Sequence, residues 1–401
     1  MNKQKIITWV LFFFIFLFVF QTFTKKNAPT PETVGGAAII VSPSKTEFAT
    51  GEEVTVKVRN NTANKITLPS GCPKNPFKVL ALVGDKIEER TSETKLNCAL
   101  SSPDVVIEPN KEQLVTYTYW NHSLFGEIGK YKVQIDFANG TGTQTFVSPE
   151  FAVVATGFWR KLFRTAFYQP LYNVLVLFID FAPFKDLGLA IILLTLAIRL
   201  ILLVPSQRAI ESQRRMQELQ PRLAHIKKKY EGNQERIAQE TMALWKEHKV
   251  NPFGSCLPTL IQFPVLIALF YVIRNGLNPD NIYLLYSPLK DVDLSNIHTN
   301  FLGILDLMRV NTIVLPIIIG GLQFLQMKLA MMTKKNSDQK PQAASEMETA
   351  TKTMIYIMPV MIALFTASVP AGVGLYWGVS TLFAIGQQIV ANRKTAKAVT
   401  A

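Results

Sequence analysis

The chain has 401 residues, is 48% hydrophobic and carries a formal charge of +13. Its apolar residues gather into blocks of about 18–22, the length a helix needs to cross roughly 30 Å of hydrocarbon, which excludes an ordinary soluble globular protein. The excess positive charge lies between and after those blocks, so it marks cytoplasmic loops beside anionic lipid rather than a nucleic-acid surface.

The first block covers residues 6–23 and follows Lys3 and Lys5. No small-residue cleavage pattern comes after it, and Lys25 and Lys26 stand where cleavage would fall. Residues 1–26 are therefore expected to be an uncleaved anchor span. Residues 27–36, rich in Pro, Gly and Thr, read as a linker into an extracytoplasmic domain that ends near residue 156. Alternating apolar and polar runs at 38–42, 53–59, 77–83, 112–120, 131–137 and 143–147 predict strands, separated by turn signals such as Asn60-Asn61 and Asn139-Gly140. Strands of this length and spacing suggest an all-β, immunoglobulin-like sandwich. Cys72 and Cys98 fall in this domain. They would pair in an oxidising compartment, or else sit as two separate core thiols.

Residues 157–182 are aromatic and apolar, with Arg160, Lys161 and Arg164 near the start. This pattern resembles an interfacial amphipathic helix, a full span being the alternative. Spans are expected at 187–205, 253–274, 310–332, 354–370 and 372–390. Between the first two of these, residues 206–249 are charged, with Met216, Leu219, Leu223, Ile226 and Tyr230 at helical spacing. Gly232-Asn233 breaks that helix, and Ile237, Thr241, Leu244 and Trp245 mark one side of a second, giving an antiparallel hairpin. Lys and Arg crowd the hairpin, the 333–353 loop and the tail, which holds Arg393 and Lys394 and then Lys397 in its end at 396–401, whereas the 275–309 loop is acidic. The first three are therefore expected to be cytoplasmic, which puts both termini inside and residues 27–186 outside.

Polar groups inside a bilayer are costly and mark functional sites. Arg199 is the only charge well inside an expected span, about six residues, or roughly 9 Å, from its cytoplasmic end. Lys328 lies one turn from an end, where snorkelling accounts for it, and a snorkelling Arg199 is the plainer alternative. Thr195, one turn earlier, shares the face of Arg199. Gln262, Gln323, Gln326, Tyr376, Ser380, Gln387 and Gln388 add polar groups in other spans and together allow one wet cavity.

The expected spans hold no Asp, Glu or His. Proton relays and serine-histidine intramembrane proteolysis are thereby disfavoured, and no nucleotide or metal motif is present. The reading is a non-enzymatic one without cofactor or metal: a fixed positive charge that draws acidic or polar client segments into a hydrated groove. The alternatives are a lipid-handling protein or anion conductor that uses Arg199 for phosphate, and an adhesion module in which the β domain is the active part.

The stretch 189–273, above all its QPRL…VNPFGSCLPTLIQFP run, resembles the core of the YidC family of membrane protein insertases, and VPAGVGLYWGVSTLFAIGQQ (369–388) resembles that family's last-span signature. The resemblance covers roughly residues 157–395. It implies a multi-span α-helical protein with a five-helix insertase core and a positively charged groove open to the cytoplasm. Arg199, Thr195 and Tyr376 match groove positions, 206–249 a mobile cytoplasmic hairpin, and 157–182 an outer-surface helix. It also implies a bacterial inner-membrane location and nascent membrane proteins as clients. The Sec translocon, the ribosome and signal-recognition targeting machinery are the further partners. The β domain of about 120 residues departs from both the larger domain and the lipoprotein start seen elsewhere in the family.

Overall fold

A computed structural model describes residues 38–68, 77–84, 86–91, 105–117, 120–139, 142–250, 257–294, 296–331 and 345–400. The expected anchor at 1–26 and the candidate pair Cys72 and Cys98 lie outside the described residues. The chain forms two compact units.

One unit is a β domain, residues 38–166, together with the loop at 275–294. Its strands are β1 (Ile39–Pro43), β2 (Glu47–Ala49), β3 (Thr55–Asn60), β4 (Ile66–Leu68), β5 (Lys78–Val83), β6 (Lys86–Arg90), β7 (Val105–Ile107), β8 (Glu112–Thr116), β9 (Gly129–Asn139), β10 (Gly142–Val147) and β11 (Phe151–Val154). One sheet has the order β1-β3-β8; a larger one runs β2-β11-β9-β5-β6, with β10 also on β9; β4 pairs with β7. Side chains alternate across each strand, so Val56 and Val58 are buried while Lys57 and Arg59 point away. Tyr131, Val133 and Ile135 of β9 do the same opposite Val79 and Ala81 of β5. Both sheets contribute to one apolar core, closed by Trp120, Leu124 and Phe125 of a short helix, α1 (Asn121–Phe125). The pattern at 112–120 overshoots, since β8 ends at Thr116 and Trp120 already belongs to the turn into α1.

The loop at 275–294 packs on the start of α1. The Asp280 carboxylate accepts the backbone N–H groups of His122 (2.6 Å) and Ser123 (3.2 Å). The His122 ring stacks on Tyr283 with centroids 3.4 Å apart.

The other unit is helical. Its elements are α2 (Phe158–Phe181, which starts in the β unit and contains a π turn at Arg164–Tyr168), α3 (Leu187–Ile201), α4 (Leu203–Glu218), α5 (Gln220–Lys229), α6 (Gln234–Glu247) and α7 (Leu257–Tyr271). A two-stranded hairpin follows, β12 (Asn300–Phe301) and β13 (Leu305–Asp306), then α8 (Val314–Met331), α9 (Ser345–Thr366) and α10 (Ala371–Thr400). By length and composition, Phe158–Phe181, Val314–Met331 and Ala371–Arg393 are able to cross a membrane, as is the bent pair α3–α4 taken together; Gln262–Arg274 and Ile355–Thr366 are shorter apolar helices.

The span expected at 187–205 is not one straight helix. It breaks at Leu202, and α4 leaves α3 at 63°. Pro205 explains the break: it has no N–H to offer the Ile201 carbonyl, and its ring crowds that oxygen. The expected hairpin is present as α5 and α6, whose seam is Leu219, Leu223, Leu244 and Val250, backed by Met216, Ile226 and Trp245. Gly232, at φ +86°, makes the turn, and the Asn233 side chain caps α6 by accepting the Arg236 N–H (3.0 Å).

Candidate functional site

Arg199 lies in the last turn of α3, just before the break. Its guanidinium Nε is buried with no hydrogen-bond partner, and among the described residues no carboxylate pairs with it. An arginine within a span is costly unless it is hydrated, paired or able to reach the headgroups, and Arg199 lies close to the break that ends its helix.

The structure sets Tyr376 of α10 within electrostatic reach of Arg199. Tyr376 is fully buried, and its hydroxyl accepts a hydrogen bond from Gln262 Nε2 of α7 at 2.5 Å. Three elements thus converge: α3 supplies the charge, α7 an amide and α10 a phenol. Gly372 and Gly374 let α10 come close. A Cβ at Gly372 would press on Ile191 and Ile273, and one at Gly374 on Thr366 and Ile319.

Thr195 is fully buried, and its hydroxyl donates to the Ile191 carbonyl of its own helix at 2.6 Å. That bond satisfies the hydroxyl's donor within its own helix. Ser380, one turn beyond Tyr376, is buried with its hydroxyl beside the Tyr376 phenol. Gln323 of α8 meets a different residue, accepting from Trp377 Nε1 at 3.5 Å.

Two functional positions escape a reading of the sequence. Trp377 passes there for an ordinary span aromatic, yet its indole N–H turns toward Gln323. Ser206 passes for the first polar residue after a span, yet it secures the α3–α4 break. Its Oγ lies 2.8 and 3.0 Å from the Leu202 and Leu203 carbonyls and accepts from Gln387 Nε2 of α10 at 2.9 Å. Both Ser206 and Gln387 are buried. The angle of the helix that carries Arg199 into the hairpin is thereby tied to the helix that carries Tyr376.

The family model of the 60Kd inner membrane protein matches residues 178–398, which span every one of these groups. The chain belongs to the YidC family of membrane protein insertases. It is 34% identical over 232 residues to the membrane protein insertase YidC of Fusobacterium nucleatum, covering 56% of this chain and 98% of that relative. It is 32% identical over 241 residues to YidC of Oceanobacillus iheyensis, covering 59% and 84%. A match to YidC of Syntrophus aciditrophicus is 29% identical over 333 residues, covering 82% of this chain and 51% of that relative, and so reaches beyond the helical unit. Membership of the YidC family and the apolar helices make this an inner-membrane protein.

Proposed function

We propose that the chain inserts and helps to fold membrane proteins, using a hydrophilic groove floored by Arg199 and lined by Tyr376, Gln262, Gln323 and Ser380. The observation that carries the groove is the half-buried Arg199, its Nε buried without a partner among the described residues, beside the Tyr376–Gln262 hydrogen bond. A fixed charge in a region of low dielectric attracts acidic or polar client segments strongly, because little water screens it. It shortens their path through hydrocarbon and lowers the barrier to crossing. The work is physical and needs no covalent step, cofactor or metal. Thr195, one turn before Arg199 on the same helix, belongs to the same groove.

In this reading the hairpin at 206–249 is the entry platform and both termini are cytoplasmic. Residues 27–186 lie outside, with the β domain as an immunoglobulin-like sandwich and 157–182 along the outer interface. Clients are nascent membrane proteins, handled alone or beside the Sec translocon after delivery by ribosome and targeting machinery. Photo-crosslinkers placed at Gln262 and Gln323 test the groove. Adducts with a stalled nascent membrane protein are expected from both positions; adducts from the outward face of α8, at Ile317, with none from either glutamine, would sink it.

A further inference from the structure

Three bulky apolar residues of the helical unit stand out from it: Leu302, Ile304 and Phe184 are 74%, 80% and 90% exposed. Leu302 and Ile304 flank Gly303 in the turn between β12 and β13, and Phe184 lies in the turn that precedes α3. Leu302 and Phe184 have φ of 54° and 58°. In that left-handed region the Cβ crowds the backbone, and glycine, asparagine and aspartate are the usual occupants. A leucine and a phenylalanine held there, with their side chains turned away from the core, forgo both relaxed backbone and burial. Such a choice is sustained where something outside the chain receives the side chain.

The two turns form one body. The His298 N–H donates to the Lys185 carbonyl (3.1 Å), and the Leu187 N–H donates to the His298 carbonyl (3.0 Å). Phe301 packs so closely over Gly188 that a Cβ there would run into the ring. On its other side the hairpin is joined to α10. The Gly372 N–H donates to the Leu307 carbonyl (2.9 Å), and the Ala371 N–H to the Arg309 carbonyl (2.7 Å). The apolar tips are thus fastened to the first residues of α3 and α10. Those are apolar helices of an inner-membrane protein, so the tips sit where hydrocarbon gives way to water. Arg309, whose side chain is 85% exposed, belongs to the same body and pairs with Asp306 at 3.1 Å.

We propose that Leu302, Ile304 and Phe184 form a membrane-immersed edge that enters the boundary between headgroups and acyl chains and holds the β12–β13 hairpin against the starts of α3 and α10. The occupant is lipid. Single apolar tips on two separate turns, fastened to the first residues of two apolar helices, suit a fluid interfacial layer, whereas a protein partner would need a continuous apolar centre with a polar rim.

The test uses the full chain in phosphatidylethanolamine–phosphatidylglycerol vesicles, with Cys72, Cys98 and Cys256 changed to Ser and Ile304→Cys labelled with an environment-sensitive nitrobenzoxadiazole dye. The expected emission is shifted to the blue, loses intensity with nitroxide lipids labelled near the headgroup, and resists iodide in the water. Emission at the aqueous wavelength that iodide quenches overturns the proposal. So does blue-shifted emission that nitroxide lipids leave untouched, because protein then covers the site. Phe184→Cys replaces the first probe if that chain does not fold.

Discussion

The β domain and the helical unit treat charge in opposite ways. In the β domain, charged side chains meet opposite charges, although among the described residues the Tyr117 hydroxyl and the Arg90 Nε are buried without a partner. Burial pushes the Glu52 carboxyl up, but Lys45, Arg160 and the Ala49 N–H outweigh it and hold the group below its ordinary range. Asp136 accepts from Lys78, Gln134 and Thr145. The helical unit buries a guanidinium nitrogen beside a phenol and gives it no acid. It also leaves Leu200, Ile317 and Leu364 between 61% and 69% exposed. The β domain pairs its charges within its own chain, while Ile87 and Ile128 are as exposed as the outward residues of the helical unit. The helical unit is completed by lipid on its flanks and, in the proposed groove, by the client.

That contrast breaks most sharply through the core of the β domain. Phe125 is 1% exposed, with ring centroids 5.1 Å from Tyr117 and 5.4 Å from Tyr131. Phe125→Ala should destabilise the domain by about 3–5 kcal/mol, seen as faster hydrogen exchange in β3, β5 and β9. Exchange in α3 and α10 and the rate of client insertion should hold. Equal loosening of both units would show that the two are not separately stabilised.

A smaller effect sharpens the account of the helical unit. Gln387→Leu removes the donor to Ser206 and leaves the Ser206 hydroxyl to serve only the carbonyls at the break. A cost of roughly 1–3 kcal/mol is expected for the lost buried bond, with a changed distance between spin labels on α4 and α10. An unchanged distance would mean that packing alone sets the 63° bend.

The smallest effect is one of pH and belongs to the β domain. Burial pushes the His122 imidazole below its ordinary value of 6.5; Asp280 raises it and Arg164 lowers it further. A depressed pKa means that the unfolded chain binds the proton better, so stability is full above pH 6.5 and falls as the pH drops through the folded value. Glu52 follows the same sign from its unfolded value of 4.5. Melting of the β domain should therefore weaken in two stages on acidification. His122→Phe, which keeps the stack on Tyr283, should erase the upper stage alone.

Much of this was legible in the sequence. Blocks of apolar residues mark the helices because hydrocarbon thickness sets their length, and Arg199 stands out because no other charge lies so deep. The long strands are legible because their side chains alternate. β2, β4 and β7, three residues each, are too short to show a period. The bend at Leu202 hides because Pro205 reads equally as the end of a span. The Ser206–Gln387 and Trp377–Gln323 pairs join residues 181 and 54 positions apart, which only folding brings together. The spacing puts Thr195 on the Arg199 face, and only folding shows that its hydroxyl donates to the Ile191 carbonyl.

The central claim is that the charge of Arg199, and not its size, draws clients across. Insertion of a client with an acidic outer tail into vesicles containing wild-type, Arg199→Lys or Arg199→Ala protein tests it directly. Two opposite charges 4 Å apart at an effective dielectric of 20 attract by about 4 kcal/mol, and a loss of even about 1.4 kcal/mol slows insertion roughly tenfold. The expected result is partial activity with lysine and a loss of about tenfold or more with alanine. Alanine equal to wild type for every client would contradict it.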